Sequence, residues 1–499
     1  MSGRDSFKIV ECFEGHPYLK NFSGIPAQNP IVTLHGATYT TQTPNMELPP
    51  YDAATRQLQK NGQACALALD ESILSKHVLI AGGIGMGKTN TFQYMIQGIS
   101  NTLTVNDVML IFDTKGDFYR TFAEGGTRDV LVANAPVVNA LGVSCESSPA
   151  EIWNIFQELP DASEEDALNE MSNEIATMLF ANSIKNTSQP FFPMAARSIF
   201  AALLRILKRT EKNPSNLTLK KLLTEENRTD SFFEDGPNGI FGNIVKLLKS
   251  DPREIGVLDY INCNDQGEKD GQTLGVIAEL RLVVEQIFIG NFAKEGSFSI
   301  RKAIQSGEGK RIFLEYDIIE GETLSPIYSL LVDLAIKESL NQRKRSSIQK
   351  RNFYFLVDEF KLLPHLKHID DAVNFGRSIG VKFVIGIQNI SQIKENYGED
   401  RAMNILSGFS TVMAFHVSDY ATRQYFVELF GTNRKRTSYL SMVNSRGLLE
   451  QVERASVVED WDILSLEVGE CIVRLPKIGR RGDQGSPFYF QTLPWDNVR

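Results

Sequence analysis

Close cysteine pairs are missing from this chain. Its five cysteines, Cys12, Cys65, Cys145, Cys263 and Cys471, are odd in number and widely scattered, so no disulfide framework and no cysteine-ligated structural zinc site is encoded; the pattern fits a reducing cytosol with the thiols used in packing. Long apolar runs are missing too. No stretch approaches the roughly 20 apolar residues that cross a bilayer, and no charged-then-apolar leader opens the sequence. The expectation is a soluble, cytoplasmic polypeptide with no membrane span of its own. Positive charge is in deficit: 52 Lys and Arg against 61 Asp and Glu leave a formal net charge of −9. That excludes a uniformly basic nucleic-acid binder and leaves room only for a local basic channel inside an acidic assembly. Internal repeats and low-complexity tracts are absent as well.

What is present is a chain of 499 residues, 42% hydrophobic, long enough to bury a sizeable core in two or more units. The stretch "GGIGMGKTN" at 82–90 follows the apolar run "HVLIA" and precedes the helix-compatible "TFQYMIQGI". Gly82, Gly87, Lys88 and Thr89 complete the pattern G-x-x-x-x-G-K-[ST], and Gly83, Gly85 and Asn90 lie inside or beside it. Glycines let successive amide N–H groups point into one concavity at a helix N-terminus, where phosphate oxygens bind. Lys88 would reach the terminal phosphates of ATP and Thr89 would give a hydroxyl to Mg2+. A P-loop alone implies nucleotide binding; turnover needs further parts.

Three such parts follow downstream. In "NFYFLVDEF", Asp358 and Glu359 end an apolar strand, where open α/β sheets place their ligands; Asp358 can hold magnesium and Glu359 can orient or deprotonate the attacking water. In "KFVIGIQ", Gln388 ends another buried strand and would reach the γ-phosphate or the lytic water, or else cap a loop. Between them, "NFGRSIG" offers Arg377, an arginine able to stabilise transition-state charge in a neighbouring subunit, or else an ordinary surface residue.

The runs "VMLIFD", "RIFLEYD", "TVMAFHV" and "GECIVRL" read as further strands, with helical stretches such as "PIYSLLVDLAIKESL" between them. The fold class expected is therefore α/β, a P-loop NTPase (RecA-like) core with a mostly parallel sheet. From about 150 to 300 helical periodicity dominates, as in "LNEMSNEIATML" and "MAARSIFAALLRIL", which predicts an inserted all-α domain. The division is then 1–65, an N-terminal segment of unknown role; 66–149 and 301–499, the two parts of the NTPase domain; and 150–300, the helical insertion.

The order "HVLIAGGIGMGKTN", "LIFDTKGDFY", "IWNIF", "FYFLVDEF", "GRSIGVKFVIGIQNISQIKENYG" and "SDYATRQYFVELFG" resembles the TraG/TraD-like coupling ATPases of conjugation and type IV secretion, within the HerA/FtsK class of ring-forming DNA pumps. The resemblance covers roughly 66–475. It implies ATP hydrolysis with Mg2+, a homo-oligomeric ring, and movement of single-stranded DNA or nucleoprotein toward a membrane channel. It makes Lys88 and Thr89 the phosphate and magnesium residues, Asp358 with Glu359 the Walker B pair, Arg377 the trans-acting arginine and Gln388 the sensor. In "DTKGD", it places Asp113, Lys115 and Asp117 near the nucleotide. Coupling proteins of this kind usually carry N-terminal membrane helices, and none is evident here. Two alternatives follow: a membrane-anchored secretion partner tethers the ATPase at the inner membrane, or the pump works free in the cytoplasm beside a nuclease.

Two basic runs are candidates for DNA contact, "QRKRSSIQKR" (Arg343, Lys344, Arg345, Lys350, Arg351) and "NRKRTSY" (Arg434, Lys435, Arg436), with Tyr439 able to stack on a base; each also reads as a solvated loop. Three function classes stand: a coupling-type DNA translocase, a soluble DNA pump serving a nuclease in repair or defence, and a P-loop protein whose nucleotide only switches its assembly.

Overall fold

The runs expected as strands are almost entirely buried along their length. In a computed structural model of the chain, Val78–Ala81, Val108–Asp113, Phe353–Val357, Val381–Ile387 and Thr411–Phe415 are strands buried at every position. Burial on both faces is what a parallel strand covered by helices requires. The structure describes residues 9–13, 30–38, 63–135, 150–224, 240–261, 270–317, 319–341, 351–440, 448–476 and 487–497.

In chain order the strands are β1 (Ile9–Phe13), β2 (Val32–Thr38), β3 (Gln63–Leu69), β4 (Val78–Ala81), β5 (Val108–Asp113), β6 (Asp129–Ala133) and β7 (Lys310–Glu315). They continue with β8 (Phe353–Val357), β9 (Val381–Ile387), β10 (Thr411–Phe415), β11 (Thr432–Leu440), β12 (Leu448–Ser456), β13 (Glu470–Arg474) and β14 (Phe488–Thr492). The chain divides into two compact units, one comprising Met1–Thr104, Arg351–Lys361 and Asp370–Arg499, the other Val105–Lys350 and Leu362–Ile369.

In the first unit β10, β4, β9 and β8 lie side by side and parallel, with Ala81 level with Ala414 and Ile387, and Val357 level with Ile385. Beyond β10 the pairing turns antiparallel through β13, β14, β2 and β3. The parallel core matches the expected sheet; the antiparallel flank was not legible as such, because short β-rich runs do not announce their direction. A separate antiparallel sheet pairs β11 with β1 and β12.

In the second unit β5 and β6 flank β7, all parallel. Every named element from Ile155 to Ser306 is helical, the longest being Glu165–Leu179, Phe191–Thr210 and Gly271–Ile287. Their apolar faces close on a core that includes Phe156, Phe180, Phe200 and Phe288, all fully buried. Two charged groups buried here are met by dedicated partners. Arg205 grips Glu254 through two of its guanidinium nitrogens (Nε–Oε1 2.7 Å, Nη2–Oε2 2.5 Å), the fork geometry that makes a buried pair tolerable. Fully buried Glu158 accepts from Trp153 Nε1, Ser299 Oγ and the Ile300 and Arg301 amides. Burial raises its pKa, and those four bonds hold it back.

Candidate functional site

Three loops leave the carboxyl ends of three adjacent parallel strands in the first unit. β4 runs into Gly82–Gly87, β8 into Asp358 and Glu359, and β9 into Gln388. β9 lies between the other two, so the P-loop strand and the acidic strand are two sheet spacings apart, about 10 Å. That gap is one that side chains and a triphosphate can bridge from both sides.

The loop after β4 is held by backbone contacts. Gly82 N donates to Ile387 O (3.1 Å), Gly83 N to His416 O (2.8 Å), and Gly469 N to Met86 O (3.0 Å). A Cβ at Gly82 would sit 2.7 Å from Phe415 Cβ, so glycine is required for the close approach to β10. Gly87 stands at the N-cap of the helix Lys88–Thr102 with φ +111°, and no side chain caps that terminus. An uncapped helix start with the positive end of its dipole facing a glycine loop suits an anion. The apex is open: Ile84 is 80% exposed, and nothing lies within 4 Å of the position a Cβ on Gly85 would take. Lys88 is buried, its ammonium donating to Gly82 O (2.6 Å) and Gly83 O (3.0 Å). It arches over the loop that would cradle phosphate. Thr89, one position on, is half-buried in the first turn.

On the acidic side, Gln388 Nε2 donates to Glu359 Oε2 at 2.7 Å, while Glu359 Oε1 is buried and accepts no hydrogen bond. An orphaned buried carboxylate oxygen costs free energy unless a donor or cation joins it. Asp358 is buried beside it. The donors and acceptors of this edge are of the kinds a magnesium nucleotide needs: amides and ammonium on one side, carboxylates on the other.

Gly386, which sequence reasoning passed over, fixes the pair in place. A Cβ there would fall 2.0 Å from Asp358 O, so β9 can run this close to the acidic strand end only with glycine. The signal was a glycine inside an otherwise branched and aromatic strand, the usual mark of close backbone approach. The segment "SDYAT" has a local task as well. Asp419 accepts from Thr422 N (2.9 Å) and caps the helix Tyr420–Phe430, and Thr422 Oγ1 accepts from Ile390 N (3.0 Å), tying that helix to the turn after Gln388.

Two candidate residues have other placements. The Asn90 amide is committed to the chain's far end, donating to Leu493 O (3.0 Å) and accepting from Trp495 N (2.7 Å), with Tyr94 OH also on Leu493 O. Arg377 is exposed in the turn Gly376–Ile379 that enters β9. It therefore lies at the amino end of β9, a seven-residue strand about 20 Å long, whereas Lys88, Asp358, Glu359 and Gln388 gather at the carboxyl ends.

In the second unit Asp113 ends β5 and accepts from Lys115 N (3.3 Å) and Tyr119 N (3.0 Å), holding the start of the helix Asp117–Phe122. Burial raises the pKa of Asp113, and burial followed by the Asp113 charge raises that of Glu315 beside it on β7. The run 342–350 lies outside the described residues, as do the side chains of Arg434, Lys435, Arg436 and Tyr439. Of the cysteines, Cys471 is fully buried with its thiol pKa pushed up by burial, as a packing residue would be; the side chains of the other four lie outside the described residues.

A glycine loop between strand and helix, with acidic and amide side chains on the neighbouring parallel strand ends, defines a P-loop NTPase fold. The sequence matches the type IV secretion-system coupling protein DNA-binding domain family over residues 63–236 and 271–477, and the chain belongs to that family. It is 21% identical over 450 residues to the coupling protein TraD of Escherichia coli strain K12, covering 86% of this chain and 55% of TraD, so it spans about half the length of that relative. Its fold is similar to the conjugative coupling protein TrwB lacking 70 N-terminal residues (TM-score 0.64, 17% identity, 86% of this chain and 87% of that one). It is similarly close to TrwB in complex with ADP and Mg2+ (TM-score 0.61, 17% identity, covering 86% and 87%). Among the described residues no helix is long and apolar enough to cross a membrane.

Proposed function

We propose that this chain is an ATP-hydrolysing DNA translocase of coupling-protein type that works as a ring of its own copies. The observation that carries the reading is the hydrogen bond between Gln388 and Glu359 at the strand ends beside the Lys88 loop. A glutamine that holds the acidic residue from the middle strand joins the two halves of a hydrolytic site. The similar fold of TrwB in complex with ADP and Mg2+ supports the choice of ligand.

In this reading the Gly82–Gly87 loop and the helix N-terminus bind the phosphates, and Lys88 swings from its carbonyls onto the terminal ones. Thr89 and Asp358 hold the magnesium ion, which supplies charge neutralisation at the phosphoryl group. Glu359, positioned by Gln388, takes the proton of the attacking water. Arg377, at the opposite strand ends, serves a neighbouring subunit's site, so hydrolysis depends on assembly. Residues 150–300 form the inserted helical domain, and the basic runs 343–351 and 434–436 contact the DNA backbone without reading sequence.

The test is ATP hydrolysis with and without single- and double-stranded DNA, measured beside the mass in solution. DNA-stimulated hydrolysis by a ring supports the motor. Nucleotide-dependent assembly with hydrolysis indifferent to DNA replaces it with an assembly switch, and pull-down of a nuclease in place of membrane secretion proteins moves it to a soluble DNA pump.

A further inference from the structure

Away from the nucleotide edge, three chemistry-bearing side chains of the second unit meet: Glu174 on the helix Glu165–Leu179, Asp333 on the helix Gly321–Leu340, and His368 just before the helix Ile369–Phe375. Glu174 and Asp333 are buried, and His368 keeps a 17% exposed edge. Their ligand atoms lie within 4.8 Å of one another. We infer that this cluster binds a divalent transition-metal ion of the zinc class through His368 Nε2 and Glu174 Oε1, with Asp333 as the residue that orients the imidazole.

Asp333 fixes the imidazole of His368. Its carboxylate only accepts hydrogen bonds, and it takes the His368 backbone N–H on Oδ1 (2.8 Å) and Nδ1 on Oδ2 (2.8 Å). Nδ1 therefore carries the proton, and the Nε2 lone pair points away from Asp333, the carboxylate–histidine arrangement that prepares a metal ligand. Nε2 faces Glu174 Oε1 at 3.4 Å. A proton shared there would draw the atoms to about 2.7–2.9 Å, the range of charge-assisted N–H···O bonds. Two ligands on one tetrahedral ion with bonds of about 2.0–2.1 Å stand about 3.4 Å apart, which is the separation found.

Glu174 supplies the independent sign. Its side chain is 3% exposed, yet Oε1 accepts no hydrogen bond. Lys337 takes only the other oxygen, Oε2, while reaching Glu170 Oε1 at 3.1 Å. The Lys337 charge so near a cation weakens the site, and the exposed edge of His368 lets the ion exchange and keep water in its remaining positions. An ion here would tie the two long helices to the segment that precedes Ile369.

The experiment uses the full chain, purified without a histidine tag and stripped with chelator, titrated with Zn2+ and separately with Co2+. Expected are one saturable ion per chain, a higher unfolding temperature with Zn2+, and a visible Co2+ spectrum of tetrahedral intensity that Zn2+ displaces. Affinity should fall at least about tenfold in Glu174→Gln and His368→Gln, and about 10–100-fold in Asp333→Asn. Lys337→Met should tighten binding, an effect no purely structural role of the cluster produces. Absence of a saturable ion in the wild type, an octahedral Co2+ spectrum, or unchanged affinity in folded Glu174→Gln overturns the assignment. Should His368→Gln fail to fold, the wild-type Co2+ spectrum and the Lys337→Met shift still decide it.

Discussion

Gln388 Nε2 lies 2.7 Å from Glu359 Oε2, a bond between residues 29 positions apart that the register of β8 and β9 brings to one sheet edge. The pairing orients the carboxylate while leaving its Oε1 without a hydrogen bond. Glu359→Gln should retain ATP and lose turnover by about 10²–10⁴-fold, the usual worth of a positioned general base. Gln388→Ala should lower kcat with little change in ATP affinity. Equilibrium nucleotide binding beside steady-state hydrolysis checks both.

Lys88 rests on Gly82 O and Gly83 O. Lys88→Ala should abolish measurable ATP binding while leaving the fold intact, because the helix Lys88–Thr102 buries Phe92, Met95, Ile96 and Ile99 and keeps its packing. A nucleotide titration followed by circular dichroism tests this.

Arg377 stands at the amino end of β9, away from its own chain's P-loop. Arg377→Ala should bind ATP normally and hydrolyse it about 10³–10⁵-fold more slowly. Mixed with Glu359→Gln subunits it should recover part of the activity, since each variant supplies what the other lacks. No recovery at any mixing ratio contradicts a role in trans.

Gly386 leaves no room for a side chain against Asp358 O. Gly386→Ala should push the acidic strand end aside, lowering stability by about 1–3 kcal/mol, as overpacking does, and impairing hydrolysis more than ATP binding. Thermal melts and turnover on the same preparation separate the two effects.

His77 is buried, with Nδ1 accepting from Phe383 N (3.1 Å) and Nε2 on Val373 O (2.9 Å). Burial first, then the Lys382 and Arg377 charges, lowers its pKa to about 4, against the Val373 bond that raises it. A depressed histidine pKa means that the unfolded chain takes up the proton first. Stability from this group is therefore whole above about pH 6.5 and falls as pH drops toward 4, by roughly 3 kcal/mol in all. Unfolding temperature against pH should slope down over that window, and less steeply in His77→Gln.

The parts of the candidate nucleotide edge were legible because each is local: a glycine spacing, two carboxylates after an apolar run, an amide after another. The strands β4, β5, β7, β8, β9, β10 and β13 coincide with runs singled out by their composition, since continuous burial leaves a continuous apolar signature. What pairs across distance was not legible. Asn90 meets Leu493 and Trp495 some 400 positions away, and Glu174, Asp333 and His368 converge from three separate segments. The antiparallel flank from β13 to β3 likewise depends on strand direction, which side-chain pattern does not encode.

In the proposed function the Lys88 loop and the end of β8 share one metal ion. The direct measurement is Mn2+ affinity in the ATP complex of the wild type and of Asp358→Asn, read by electron paramagnetic resonance. A loss of about tenfold or more in Asp358→Asn, with ATP still bound through the loop, is the predicted result. Equal Mn2+ affinity in the two proteins would contradict a shared site.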